Sequence, residues 1–268
     1  MMVSILLLIT FILTFLLCLG SFSFVKIFLT ALGIFLAVNI VYILWAFSTC
    51  QLVRDTTKPI EKEKPLCRFA TSTIFNMVCS YMGLGITVTG REKLPQDAKY
   101  LLVCNHRSGF DPVVIMDRLA KEKISCIAKP SIMSLPVIGR VAHGIGCLAI
   151  DRDNDRNALK TILAAANYLK KGVCNICIFP EGTRSKSGEL LPFHAGSFKI
   201  AQRAGAPVVI AAIDGTENIM KNVPLRRTRV SLKILEVVPA EQVKAMQTQE
   251  LADYSRELIA KTLAEVAE

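Results

Sequence analysis

The sequence predicts an α/β fold: a mostly parallel or mixed sheet flanked by helices, preceded by an N-terminal membrane-embedded helical hairpin. Three observations predict it. From residue 86 onward, short continuous apolar runs alternate with helix-like segments, the pattern of buried strands joined by crossover helices. Charged clusters follow several of those runs, where an open α/β sheet gathers its functional groups. The first fifty residues carry one charge, Lys26, in a chain of 268 residues that is 52% hydrophobic.

Taken in order, "MMVSILLLITFILTFLLCLG" lacks a basic leading region and a small-residue cleavage site, so it does not read as a removed signal peptide. "SFSF" interrupts it, and "VKIFLTALGIFLAVNIVYILWAF" follows. At 1.5 Å per residue each run is long enough to cross a hydrocarbon core of ~30 Å. Trp45 suits an interfacial anchor, and Arg54, Lys58, Lys62, Lys64 and Arg68 beyond it place the rest of the chain on the cytoplasmic side. The alternative is a single span plus a buried or interfacial helix. Residues 1–48 therefore form the anchoring hairpin, 49–65 a polar connector, and 66–268 the α/β domain.

"LCRFATSTIFNMVCSYMGLG" has helical spacing and few charges, suiting a helix on the bilayer or against the domain. Strands are predicted at "ITVTG", "YLLVC", "ISCIA", "GCLAI", "NICIF", "PVVIAAI" and "RVSLKILEVV". The clearest helix is 155–171, with Leu159, Ile162, Leu163, Ala166 and Leu169 as its apolar stripe and Gly172 as its stop. Further helices are expected at 111–120, 196–204 and 248–264.

Composition narrows the function. The chain has 32 Lys and Arg against 22 Asp and Glu, which favours anionic lipid surfaces, phosphate-bearing substrates or acidic partners. No nucleic-acid module or aromatic-interleaved basic patch is present, so nucleic acid is excluded as a partner. Nine cysteines in a cytoplasm-facing chain read as free thiols. Cys174 and Cys177 lie in a strand-like run, where positions three apart face opposite ways, and no second ligand pair accompanies them. Neither a redox pair nor a metal site follows.

Three charged clusters end strands: His106 and Asp111 after "YLLVC", Asp151 and Arg152 after "GCLAI", and "PEGTRS" after "NICIF". Asp111 can hold one ring N–H of His106 and leave the other nitrogen as a base; equally, Asp followed by Pro112 reads as a helix N-cap. In "FPEGTRS", Gly182 permits close backbone approach, Thr183 and Ser185 donate to an anion, and Arg184 can grip phosphate. A nucleophilic route through Cys104 or Ser108 is the covalent alternative. Strand geometry turns a near neighbour of His106 away from it.

Together, "NHRSGFD", "GCLAIDR", "FPEGTRS" and "APVVIAAI", in this order, resemble the glycerolipid acyltransferase family, in particular its 1-acylglycerol-3-phosphate acyltransferases, over residues 66–240. The resemblance implies His106 as general base with Asp111 orienting it. It implies Arg152 as an acceptor-phosphate residue, and Glu181, Gly182, Thr183 and Arg184 as the acceptor site, with Pro207 and the apolar run after it on the acyl side. It departs from the family at Ile210, where a second proline is usual, at Lys129-Pro130-Ser131 in place of a Lys-Glu pair, and at His194 in place of a basic residue. The implied reaction moves an acyl group from an acyl-CoA or acyl carrier protein thioester to the free hydroxyl of lysophosphatidate, with no cofactor and no metal. Membrane lipids, the lysophosphatidate acceptor and the acyl carrier are the expected partners. Transfer to glycerol 3-phosphate or another lysolipid, or thioester hydrolysis, are the alternatives on the same fold. A non-catalytic lipid binder would need the anion grip but not the base. "PLRRTR", with Arg226, Arg227 and Arg229, is either a solvated strand edge or a contact for headgroups or an acidic carrier.

Overall fold

In the computed structural model, seven strands form one sheet in the order β1-β7-β6-β2-β5-β3-β4. The structure describes residues 2–17, 23–49, 51, 53, 55–151, 154–185 and 189–267. The strands are β1 (Leu84–Thr89), β2 (Leu101–Cys104), β3 (Ile124–Ala128), β4 (Leu148–Ala149), β5 (Asn175–Ile178), β6 (Val208–Asp214) and β7 (Thr228–Val238). All neighbours are parallel except β6 and β7, so the sheet is mixed. Each strand coincides with one of the seven predicted runs.

The helices are α1 (Met2–Leu17), α2 (Phe24–Thr49), α3 (Pro65–Tyr81), α4 (Asp111–Arg118), α5 (Pro130–Met133), α6 (Ile138–Gly144), α7 (Asp155–Lys170), α8 (Lys199–Ala204), α9 (Ile219–Asn222), α10 (Ala240–Ala245) and α11 (Thr248–Ala267). They cover both faces of the sheet, which is why its central strands are apolar throughout rather than alternating. Pleating splits those residues between two layers. Leu101, Val103, Ile176, Ile178, Val208 and Ile210 pack in one layer with α7, α8 and α11. Leu102, Cys104, Cys177, Val209, Ala211 and Ile213 pack in the other with α3 and α4. Cys174 and Cys177 accordingly fall in different layers. The seven described cysteines are all buried and none is in a disulfide.

The segment after β3 was not legible as helix. Two short helices, α5 and α6, fold against each other there, and Gly139 is required because a Cβ would lie 1.9 Å from the Met133 carbonyl oxygen. The second N-terminal run behaves as expected: Phe24–Trp45 is long and apolar enough to cross a membrane, with mean hydropathy 2.5. Of the first run the structure describes helix α1, with 16 residues, about 24 Å at 1.5 Å per residue; residues 18–22, over which the predicted run ends, lie outside the described residues. Helix α1 packs on α2 and α3, with Leu6, Tyr42 and Met77 in one cluster.

Helix α3 carries that helical pair onto the domain. Trp45 meets Phe69 edge-on at 5.7 Å, and Tyr81 donates its hydroxyl hydrogen to Asn39 Oδ1 at 3.0 Å. On its other side Arg68 is withdrawn from the surface. It pairs with Glu63 and donates to the carbonyls of Ile124 (2.6 Å) and Ile145 (3.2 Å) and to Ser125 Oγ (3.1 Å). Of the basic residues after α2, Lys58, Lys62 and Lys64 are exposed and Arg68 is not; Arg54 lies outside the described residues. The connector is strapped down by Ile60 N–H donating to the Tyr168 hydroxyl oxygen at 2.8 Å.

Candidate active site

Strands β2, β5 and β6 are adjacent and parallel. Their carboxyl ends therefore deliver three turns to one place. Asn105, at the end of β2, ties its turn to β6 by a double hydrogen bond: its amide donates to the Ile213 carbonyl and its oxygen accepts the Ile213 N–H, both at 2.8 Å. His106 follows, one-fifth exposed, its imidazole stacked on the Phe179 ring at 4.3 Å between centroids.

Asp111 has no exposed surface and its carboxylate organises the turn. Oδ2 accepts from His106 Nδ1 at 2.7 Å and from the backbone N–H groups of Arg107 and Ser108, both at 2.8 Å. Oδ1 accepts the hydroxyl hydrogen of Thr216, itself buried, at the end of β6. The N-cap reading of Asp111 is corrected here. Phe110 occupies the N-cap position of α4 with no side-chain cap, and the carboxylate faces back over the preceding turn instead. An acceptor already holding two backbone donors fixes Nδ1 as the protonated nitrogen, which leaves Nε2 as the one able to take a proton.

The "PEGTR" turn is bonded to the histidine turn at two points. His106 N–H donates to Glu181 Oε1 at 2.6 Å, and Ser185 N–H donates to the His106 carbonyl at 3.3 Å. Glu181 is buried, and its second oxygen accepts the Leu191 N–H at 3.0 Å. Burial pushes its carboxyl above the usual carboxylate range, against the pull of those two backbone donors. Gly182 sits in the left-handed region, φ 77°, where the chain leaves the sheet. Thr183 and Arg184 emerge exposed, and an Arg184 guanidinium nitrogen lies 3.7 Å from where a Cβ on Gly109 would be. Arg184 thus overhangs the His106–Asp111 turn.

The structure therefore brings together His106, Asp111, Glu181, Gly182, Thr183 and Arg184. Arg152 lies outside the described residues. Cys104 is fully buried and its thiol is held well above its ordinary range by burial first and then by the Asp111 and Glu181 carboxylates, which leaves it no thiolate to attack with. His143 is buried in α6 against the connector, and His194 is exposed at the start of a short 3-10 turn. Ile210 is buried within β6.

Sequence reasoning missed Thr216, Phe179 and Arg107. Arg107 Nη1 bridges Asp214 Oδ1 (2.8 Å) and Glu217 Oε1 (3.0 Å), bracing the β6 turn that presents Thr216. Gly215 in that turn has φ 86°, and a Cβ there would meet the Arg229 carbonyl oxygen at 2.2 Å. A Gly-Thr pair closing a buried strand was the available signal. Its partner lies 105 positions away, which spacing alone does not reveal.

Chemically, a histidine oriented by a buried carboxylate beside an overhanging arginine can take a proton from a hydroxyl on an anionic substrate: the arrangement of a base-assisted transferase or hydrolase. Comparison with known proteins narrows this. Residues 85–214 match the family model described as Acyltransferase. A 1-acyl-sn-glycerol-3-phosphate acyltransferase of Salmonella typhimurium is 34% identical over 169 residues, covering 62% of this chain and 67% of the relative. The Escherichia coli protein of the same name is 32% identical over the same shares, and the Saccharomyces cerevisiae one 29% over 75% of this chain and 67% of its own. The crystal structure of a 1-acyl-sn-glycerophosphate (LPA) acyltransferase from Thermotoga maritima superposes with a TM-score of 0.62 at 24% identity, covering 84% of this chain and 88% of that one; it shares the fold. The chain belongs to the glycerolipid acyltransferase family, with the 1-acyl-sn-glycerol-3-phosphate acyltransferases as its relatives.

Proposed function

We propose that this protein transfers an acyl group from a thioester to the free hydroxyl of a 1-acylglycerol-3-phosphate, giving phosphatidate. The observation that carries the reading is the His106–Asp111 pair: the carboxylate accepts from Nδ1, so Nε2 is the base. His106 removes the acceptor hydroxyl proton, the oxygen attacks the thioester carbonyl, and a tetrahedral oxyanion forms. Collapse makes the ester C–O bond and breaks the C–S bond, and the proton on His106 passes to the departing thiolate. Asp111 stabilises the imidazolium between those steps. Neither a metal nor a covalent enzyme intermediate enters this sequence. Arg184 and Thr183, exposed beside the pair, hold the acceptor phosphate, with Arg152 assigned the same role from the sequence. The names of the relatives support lysophosphatidate as acceptor.

Helix α2 anchors the protein in the bilayer where acceptor and product reside, and exposed Lys58, Lys62 and Lys64 after it put the domain on the cytoplasmic face. The test is acyl transfer by the purified full chain in vesicles, with lysophosphatidate and either palmitoyl-CoA or palmitoyl-acyl carrier protein. Phosphatidate formation names the donor. Free fatty acid in place of phosphatidate would make the enzyme a hydrolase, and acylation of glycerol 3-phosphate alone would move the acceptor.

A further inference from the structure

One patch takes no part in the site just described. Between Thr216 and β7 the chain exposes Met220, at 66%, and Leu225, at 91%. Lys221, Pro224, Arg226, Arg227 and Arg229 are exposed around them, and no acidic side chain pairs with these cations among the described residues. A solvent-facing leucine with four cations within four positions of it in the chain is an apolar tip on a positive segment.

Its position is fixed by the sheet. Because β7 runs antiparallel to β6, its start lies at the same end as the carboxyl ends of β2, β5 and β6, hence at the active-site end. Parallel pairing of β1 with β7 brings the end of α3 to the same place: Thr228 N–H donates to the Gly83 carbonyl at 3.3 Å, and Arg227 Nε would lie 3.0 Å from a Cβ on Gly85. Two residues before Gly83, Tyr81 grips Asn39 and packs edge-on with Phe35 of α2 at 6.3 Å. The patch is thus continuous, through the end of α3, with the apolar helix that reads as membrane-embedded.

We propose that the segment 219–229, from α9 to the start of β7, is a second membrane contact, with Leu225 inserted at the headgroup level and Lys221, Arg226, Arg227 and Arg229 seated on anionic lipid phosphates. The inference rests on the membrane reading of α2. Charge complementarity selects the occupant, since juxtamembrane cations draw anionic headgroups and an exposed leucine gains by entering the acyl boundary. With α2 it makes two points of contact at the active-site end, which sets the tilt of the domain and turns the His106 turn toward the lipid that supplies the acceptor.

The chain has one tryptophan, Trp45, so the full protein reports on both contacts. Trp45→Phe/Leu225→Trp, reconstituted in vesicles of phosphatidylcholine with phosphatidylglycerol, should show blue-shifted emission quenched by brominated lipid. A Trp45→Phe/Leu159→Trp control, on α7 in the other layer, should stay unquenched. Adding Arg226→Gln and Arg227→Gln should shift the loop's docking equilibrium by roughly twenty-five-fold, at about five-fold per basic side chain. Pure phosphatidylcholine should reduce quenching in the same sense. Native Trp45 quenched with Leu225→Trp no more quenched than Leu159→Trp overturns the loop contact and leaves the anchor standing. Trp45 itself unquenched overturns both. Emission of Leu225→Trp shifted in detergent by an acidic acyl carrier protein, without quenching in vesicles, reassigns the patch to a protein partner and overturns the proposal.

Discussion

Thr216→Val removes one hydrogen and one oxygen from a place where water cannot replace them. Thr216 is 1% exposed and Asp111 not at all, and their hydrogen bond is the one that holds Oδ1. Bonds to charged groups of this kind contribute about 1.5–3 kcal/mol, and a buried acceptor left unpaired loses that stabilisation in full. At ~2–4 °C per kcal/mol for a chain of this size, the melting temperature should fall by roughly 5 °C. Asp111 keeps its three donors on Oδ2, so the pairing with His106 survives. The carboxylate is then free to rotate just when it must stabilise the imidazolium. If the whole loss reached the transition state, kcat would fall about ten- to 150-fold. KM for the acceptor should not change. The assay is steady-state phosphatidate formation alongside thermal unfolding in the same detergent, with Thr216→Ser as the partner variant that restores the hydroxyl. A folded Thr216→Val with kcat and melting temperature indistinguishable from Thr216→Ser would refute the claim that this hydroxyl positions the carboxylate.

Cys104→Ala should retain activity within a few-fold, since a buried thiol held in its protonated form cannot carry an acyl group; trapping of an acyl-cysteine by mass spectrometry would contradict this. Arg68→Met strands the Glu63 carboxylate, whose side chain is only 9% exposed, and should cost up to about 3 kcal/mol in unfolding free energy, with Glu63→Gln/Arg68→Met recovering much of it. His143 gives a pH dependence: burial lowers its folded pKa, while the Lys58 backbone and the Asp55 carboxylate oppose that shift. The unfolded chain takes up a proton below 6.5 that the folded chain refuses until lower pH, so this contribution is complete above 6.5 and is lost as pH falls toward the folded value. The wild-type melting temperature should drop more than that of His143→Leu between pH 7.5 and pH 5.5, and parallel curves would remove His143 as the cause.

Strand positions were legible because each central strand is buried on both faces, and runs such as "LLVC" and "NICI" need no partner in the sequence to be recognised. His106, Asp111 and the "PEGTR" turn were legible for a related reason: each is contiguous and closes such a run. What escaped was whatever depends on contact across the sheet. The Thr216 hydroxyl meets Asp111 only because β6 lies beside β2, and Phe179 supports the imidazole only because β5 lies on its other side. Helices α5 and α6 escaped because four and seven residues are too few for a 3.6-residue periodicity to show.

The most direct test of the central claim is phosphatidate formation from lysophosphatidate and an acyl thioester by wild type and His106→Ala, prepared identically in vesicles. The account predicts product from the wild type and a fall of ~10²–10⁴-fold in kcat for the variant at unchanged acceptor KM. A folded His106→Ala that forms phosphatidate at the wild-type rate would contradict it.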